Sequence, residues 1–455
     1  MPSILMVNPQ KNNLDLIAVL FVSSGLLVAS ALTHTFIAYP LLVALGLFTA
    51  VLTRRGFLLS SLLKMGLAGA RQALPVIHVL LLIGILTAVW MAAGTVPALV
   101  YYGTGLISAQ FFILWAFLLM GAVSVLMGTS FGAVGTLGVA LMVIARSSNI
   151  DVNPVAGAII AGAFVGDRCS PLSSSAHLVA SITRTSLYRN LGNMVASGLW
   201  PAALSVVFYA ALSFAYPATL DANSVITELP KRFDLSFVVL LPAIALLLLA
   251  LLRVNVKRAM LVSVGLGIAI AYTHQHYSFA EIMRFLLFGF HLDQDSPLQT
   301  ILLGGGLFPM AKATLVVSLS TAFAGIFAGS GVLGFVDHWL KHIRTQRGLS
   351  WATVFVSVLA NLFGCTQTIA ILLTGQIMQP HYTAYWLQHP TKVSSSEQLA
   401  LALEDTAVVI APLIPWNIAG LIPATVLGVG PGFIPYAVYL LLLPLCFVFR
   451  NRPAP

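Results

Sequence analysis

The chain has 455 residues, of which 59% are hydrophobic and 8% charged, and its mean hydropathy is +0.97. Soluble domains keep about a quarter of their residues charged, so this is not a soluble globular protein; the apolar fraction also excludes a disordered chain despite 36 Gly and 23 Pro. The net charge of +9 comes from basic residues that sit mostly in short loops, as cytoplasmic loops do, and it calls for no nucleic-acid partner.

Apolar runs of about 18–22 residues recur along the chain and nothing alternates as a membrane strand would, so the fold class is an all-α polytopic membrane protein with roughly ten to twelve spans. The first spans are Leu14–Leu32 and Phe36–Leu52; the former is longer than a signal h-region, has no cleavage site and reads as retained. Arg54, Arg55, Lys64 and Arg71 mark a cytoplasmic loop, Lys11 places the N-terminus on the same side, and Phe57–Ala70 reads as an interfacial helix lying flat. Ala73–Ala93 and Phe111–Met127 follow. From Gly128 the apolar segments are too short to span and are broken by Gly, Pro, Ser and Asp: GTSFGAVGTLG, NPVAGAIIAGAFVG and DRCSPLSSSAHL. Leu199–Tyr216 restores a normal span.

The polar stretch Pro217–Asp234 reads as a connector between two membrane repeats, 1–216 and 235–455. The second repeat brings Phe237–Leu252, a basic loop with Arg253, Lys257 and Arg258, Met260–Tyr272, the polar loop His274–Pro297, Leu315–Val332, Val354–Leu373 and Val438–Phe449. Between the last two lie the broken stretches NLFGCTQTIAILLTG and LALEDTAVVIAPLIPWNIAGLIPATVLGV. Cys169, Cys365 and Cys446 are odd in number and read as buried thiols, with no disulfide framework. Each half carries one Gly-containing Ser/Thr segment and, further on, one acidic segment ending in small-Pro-Leu: Ser170-Pro171-Leu172 and Ala411-Pro412-Leu413. Matching interrupted segments in two halves are the trace of an inverted-repeat transporter, since broken helices must face protein or a water-filled cavity.

Three acidic residues, Asp167, Glu404 and Asp405, are embedded among apolar or small residues. An ionised carboxylate at membrane depth costs at least about 2.5–3.5 kcal/mol, which makes each a candidate ion or proton site. The structural alternatives are an ion pair of Asp167 with Arg168 and a helix start at the membrane rim for Glu404 and Asp405. Thr129, Ser130 and Thr136 lie in a glycine run whose carbonyls and hydroxyls suit a small ion or a hydrogen-bonded solute, with close helix packing as the alternative. Ser173, Ser174, Ser175 and His177 form a second polar cluster, and Asn361, Thr366, Gln367 and Thr368 its counterpart, with Trp416-Asn417 after Pro415. His177 and His78 are the histidines expected at depth, where an imidazole can carry a proton, although a plain hydrogen-bonded histidine is the simpler account of His78. Lys312 reads as a snorkelling anchor. There is no phosphate loop, no His/Cys ligand spacing and no nucleophile with its base, so neither an enzyme nor a tightly bound cofactor is expected.

GTVPALVYYG (94–103), GTSFGAVGTLGVAL (128–141), AGAIIAGAFVGDRCSPLS (156–173), GGGLFPM (304–310) and LEDTAVVIAPLIPWN (403–417) resemble, in order, the NhaC-type sodium/proton antiporters, over about residues 70–430. The resemblance implies a secondary carrier of the cytoplasmic membrane, built from inverted repeats with re-entrant hairpins, moving in an elevator-like way and compatible with a homodimer through its scaffold. Carried over by motif, Asp167, Ser170, Ser173, Thr129 and Ser130 are site candidates of the first half, and Glu404, Asp405 and Asn417 of the second. Where the family usually reads SPLSDTTNL this chain has Ser174 and His177 in place of the acid and the asparagine, and Thr366 stands where an acid often precedes the glutamine. Two expectations follow. The first is sodium/proton exchange, with Asp167 and Asp405 as carboxylates for which Na+ and H+ compete. The second is coupled transport of a small organic solute, an amino acid or carboxylate, bound by Ser170, Ser173, Ser174, Ser175, His177, Thr366, Gln367, Thr368, Trp416 and Asn417, with Arg168 and Arg184 attracting its carboxylate.

Overall fold

A backbone surrounded by lipid has no water to bond, so each apolar stretch closes its hydrogen bonds within itself as a helix. The computed structural model describes residues 14–33, 35–106, 109–148, 150–217, 222–252, 254–292, 304–336, 340, 343, 345–391 and 393–450; Lys11, Arg253 and part of the loops at Pro217–Asp234 and His274–Pro297 lie outside them. The helices run in the order α1 (Leu14–Leu32), α2 (Ala38–Arg54), α3 (Leu59–Gln72), α4 (Leu74–Ala92), α5 (Thr95–Leu106), α6 (Phe112–Met127), α7 (Ser130–Ala133), α8 (Val139–Ser147), α9 (Val152–Cys169), α10 (Ser174–Thr183) and α11 (Leu187–Ala215). They continue as α12 (Ala222–Arg232), α13 (Leu241–Leu251), α14 (Val256–Thr273), α15 (Phe279–Phe288), α16 (Ala311–Ser330), α17 (Gln346–Gly364), α18 (Gln367–Gln388), α19 (Ser395–Asp405), α20 (Ala407–Ile410), α21 (Ile418–Leu427) and α22 (Val438–Phe449). Six of the described helices are long and apolar enough to cross a membrane, eight if two bent pairs each count as one; four shorter apolar helices bring the tally to the upper end of the expected range. The chain is thus an all-α polytopic membrane protein.

The expectation of a flat interfacial helix at Phe57–Ala70 is corrected. α3 and α4 together form one 34-residue apolar unit, Leu59–Ala92, that runs antiparallel to α16. The reason lies in small residues: Gly69 faces the backbone of Thr321 and Gly325, and Gly329 faces Met65, so the two backbones approach too closely for any side chain to intervene. Inside the connector stretch, α12 buries Leu229 and is followed by the buried Phe233, while α15 is held at its start by a capping box of Ser278 and Glu281. On the outside, α11 presents Leu199, Trp200, Val207 and Phe214, a surface suited to lipid.

Two helical hairpins enter the bundle from opposite ends. At one end meet the start of α6 and the end of α11, through the Leu114 N–H and Ser213 Oγ at 3.2 Å. The same end holds the close of α8 and of α21, where Arg146 donates to the Leu427 carbonyl at 2.7 Å. α6 descends from there, turns at Gly128, and α7 and α8 return. At the other end, the Arg189–Glu397 pair joins the starts of α11 and α19 at 2.6 Å, and Tyr382 and Thr353 join α18 to α17 at 3.1 Å. α17 descends from this second end, turns at Cys365, and α18 returns. Between the hairpins run two bent elements in opposite directions: α9 with α10, bent by 41°, and α19 to α21, bent by 47°. Element order therefore repeats between the halves with inverted direction.

Candidate functional site

The two hairpin tips are built alike. α6 ends on Gly128 in the left-handed region (φ 65), and Thr129 then caps α7 by accepting the Gly132 N–H at 3.4 Å. α17 ends on Cys365, also left-handed (φ 50), and Thr366 caps α18 by accepting the Ile369 N–H at 3.1 Å. Each tip rests on a break. Gly128 abuts Leu172 of the first-half Pro-Leu turn, with no room for a side chain there. The Cys365 carbonyl accepts the Ile418 N–H at 2.9 Å at the second-half break. The residues that begin α7 and α18, Ser130 and Gln367, thereby aim at the same carboxylate.

That carboxylate is Asp167, buried near the end of α9. Gln367 donates to its Oδ2 at 2.9 Å and to the Val408 carbonyl at 3.2 Å, so one amide ties the first half to the second. Ser130, at the start of α7, lies within electrostatic reach of the same carboxylate. The Asp167 backbone carbonyl, freed by the end of the helix, accepts from the Ser173 hydroxyl and from Ser175 Oγ at 2.7 Å. Ser173 also caps α10, while Ser170 accepts the Leu172 N–H at 3.2 Å. The partners of Asp167 are thus neutral donors and the partial positive ends of helices, all of which a cation or a proton can replace.

Arg168, the next residue, points elsewhere. It is fully buried, pairs with Asp405, and donates to the Met194 carbonyl at 2.9 Å and to Ser197. Ser197 also donates to Asp405 at 3.1 Å. The sequence alternative of an Asp167–Arg168 pair is therefore not what the fold makes; neighbouring helical residues diverge, and Arg168 reaches the second half. Asp405 ends α19 at a kink where Thr406 leaves helical geometry (φ −130, ψ −77), its hydroxyl held by the Ala402 carbonyl at 2.6 Å and by Ser357 at 2.9 Å. Glu404, on the same turn, is wholly buried. Neither of its carboxylate oxygens has a hydrogen-bond partner among the described residues, although it lies within electrostatic reach of Arg168, Asp167 and Asp405. A buried carboxyl without partners is tolerated only if it holds a proton or sits beside a cation. Among the described residues no three acidic, histidine or cysteine side chains converge as a metal cage would require.

Other expected residues fall outside this centre. Ser174, His177 and Thr368 are exposed, and the His177 ring meets the Pro171 carbonyl at 3.0 Å. His78 and Lys312 are exposed too. Trp416 and Asn417 are buried braces: the indole donates to the Leu362 carbonyl at 2.8 Å, and the Asn417 amide meets Asn361 at 3.1 Å while its carbonyl oxygen caps α21. Thr136 returns its hydroxyl to the Gly132 carbonyl at 2.8 Å within a π-helical turn. Sequence reasoning missed Ser197 and Thr406, a lone serine on an apolar helix and the residue after the acidic pair; the role of Ser197 arises from the packing of α11 against α9 and α19, and that of Thr406 from the packing of the kink against α17.

The sequence profile of the Na+/H+ antiporter family matches residues 164–449, a range that contains Asp167, Arg168, Gln367, Glu404 and Asp405. The chain is 30% identical to the Na+/H+ antiporter NhaC of Alkalihalophilus pseudofirmus, over 83% of this chain and 81% of that one. It is 27% identical to the malate-2H+/Na+-lactate antiporter of Bacillus subtilis, over 89% and 88% respectively. It is also 27% identical to the arginine/ornithine antiporter ArcD of Halobacterium salinarum, over 84% and 79%.

Proposed function

The chain belongs to the Na+/H+ antiporter family, and from that premise we propose that it exchanges sodium for protons across the cytoplasmic membrane by alternating access, with Asp167 and Glu404 as the carboxyl groups for which the two ions compete. The observation that carries this reading is the pair of partnerless buried oxygens on Glu404, within electrostatic reach of an Asp167 held only by neutral donors, while Arg168 is engaged by Asp405. Hard oxygen ligands suit sodium, and hydroxyls of Ser130 and Thr129 at the first tip supplement the carboxylates. Competition for shared carboxylates couples the fluxes, because sodium binds the ionised form and leaves when protons return. Asp405 then serves as the counter-charge of Arg168 rather than as an ion ligand. The elevator-like motion, a homodimer through the scaffold helices, and a cytoplasmic N-terminus belong to the same proposal; basic residues gathered at one end, among them Arg184, Arg189, Arg347 and Arg450, support that orientation.

The test is proton movement in proteoliposomes under an imposed pH gradient. Addition of sodium should collapse the gradient, and Asp167→Asn should abolish the response. No response to sodium, lithium or potassium would overturn the reading. A second reading, coupled transport of a small amino acid or carboxylate, is favoured by the activities named for two of the relatives, and a solute of that class that raises the thermal stability of the purified protein would establish it.

A further inference from the structure

A cavity of about 340 Å³ lies between α10, α18 and α19, with room for on the order of ten waters. Ser181, Thr183, Arg184, Gln376 and Gln379 line it, with Leu399 at its side. Gln376 and Gln379 are exposed and three residues apart, hence on one face of α18. Amides and hydroxyls on a membrane helix need water or protein to bond; Thr183 donates to the Val179 carbonyl at 2.7 Å, whereas Ser181, Gln376 and Gln379 are exposed beside open space. The helices that wall the cavity also reach the carboxylate centre: α10 through Ser173 and Ser175, α18 through Gln367, α19 through Glu404. Ile182, Leu372 and Gly375 complete the lining of the cavity. A side-chain carbon added at Gly375 would come within 3.0 Å of Ile182 Cδ1 and 3.5 Å of Leu403 Cδ1, and Leu403 directly precedes Glu404.

We infer that this cavity is the water-filled vestibule by which the transported cation reaches Asp167 and Glu404 from the end carrying Arg189 and Glu397, and that Ile182 and Leu403, closing over Gly375, are its gate. The inference rests on the exchange reading for the identity of the cation. Arg184 at the mouth places a positive charge in the cation's path, which slows its approach at low ionic strength and is screened by salt.

Cysteine introduced as Ser181→Cys or Gln376→Cys in the full chain should react with a membrane-impermeant charged thiol reagent in vesicles of one orientation only, above the level of the parent chain. Gly375→Leu should cut transport at least ten-fold while thermal stability is retained, and Ile182→Ala added to it should restore most of the rate by returning the space. Arg184→Gln should lower the KM for sodium about three-fold at low salt, more than it changes the maximal rate, with the difference lost at high salt. No labelling above the parent chain, equal labelling in both orientations, or a Gly375→Leu block that Ile182→Ala leaves untouched would overturn the vestibule. Labelling does not depend on which ion is carried. A chain that labels from one side yet exchanges no sodium refutes the exchange reading and keeps the vestibule.

Discussion

The chemistry of this centre turns on what each buried charge is bonded to. Glu404 has no hydrogen-bond partner among the described residues, so its neutral isostere removes nothing the structure relies on. Glu404→Gln is therefore expected to keep or raise thermal stability while sodium-driven proton movement is lost; a variant that still couples the two fluxes removes Glu404 from the mechanism. Asp405 is the opposite case. Asp405→Asn leaves Arg168 buried without its counter-charge and is expected to destabilise by about 3–5 kcal/mol. Replacing both partners by apolar residues, as Arg168→Met with Asp405→Leu, should recover most of that loss, because the desolvation of two charges disappears with them. Thermal unfolding of the parent chain and these two variants in detergent measures the differences; a double variant no more stable than Asp405→Asn would count against the pair as an isolated unit.

At the scale of elements, the hairpin tips set where the carboxylates are met. A tip must reverse the chain in two residues and leave the next helix with its N-terminus free to face Asp167. Gly128 achieves this in left-handed geometry without strain, whereas Cys365 holds the same geometry with a side chain, at a cost of roughly 1–2 kcal/mol. Gly128→Ala should incur a comparable penalty and also press on Leu172, so its melting temperature should fall and its exchange with it; unchanged stability would show that the tip relaxes freely. The bent elements complete the arrangement. Breaks at Ser170–Ser173 and at Thr406 release carbonyls and end helices at depth, and those ends carry Asp167, Glu404 and Asp405.

At the scale of the whole molecule, two halves of inverted direction place their tips against a common centre, where Gln367 bonds Asp167 and Arg168 pairs with Asp405 across the halves. The two hairpins enter from opposite ends, α6 to α8 from one and α17 with α18 from the other, an arrangement that suits alternating access. The orientation is testable with a reporter fused after the final helix. α22 starts beside Tyr209 at one end and finishes at the end rich in arginine, so a fluorescent protein joined there should fold and fluoresce, and alkaline phosphatase should be inactive. Active phosphatase would invert the assignment of the vestibule to the cytoplasmic face.

Much of this was legible in the sequence. Hydropathy alone places Leu14–Leu32, because lipid leaves a 19-residue apolar run no alternative to a helix. The broken stretches, the three embedded carboxylates and the Thr-containing tips are equally local signals, since a Gly, Pro or acid in an apolar segment has a cost that only a special role offsets. What the sequence could not decide is which partner each residue finds. Asp167 and Arg168 are adjacent yet belong to different pairs, because a helix turns them about 100° apart and the other partners come from residues some two hundred positions away. His177 and Ser174 share a polar run with Ser173 and Ser175 but face outward, since α10 buries one side only. α3, read as lying on the membrane, stands against α16 because glycines on both helices match, a complementarity that exists only between two surfaces. Composition and spacing determine which residues are costly in a membrane; tertiary packing alone decides which of those charges is neutralised and which is left to bind what the protein carries.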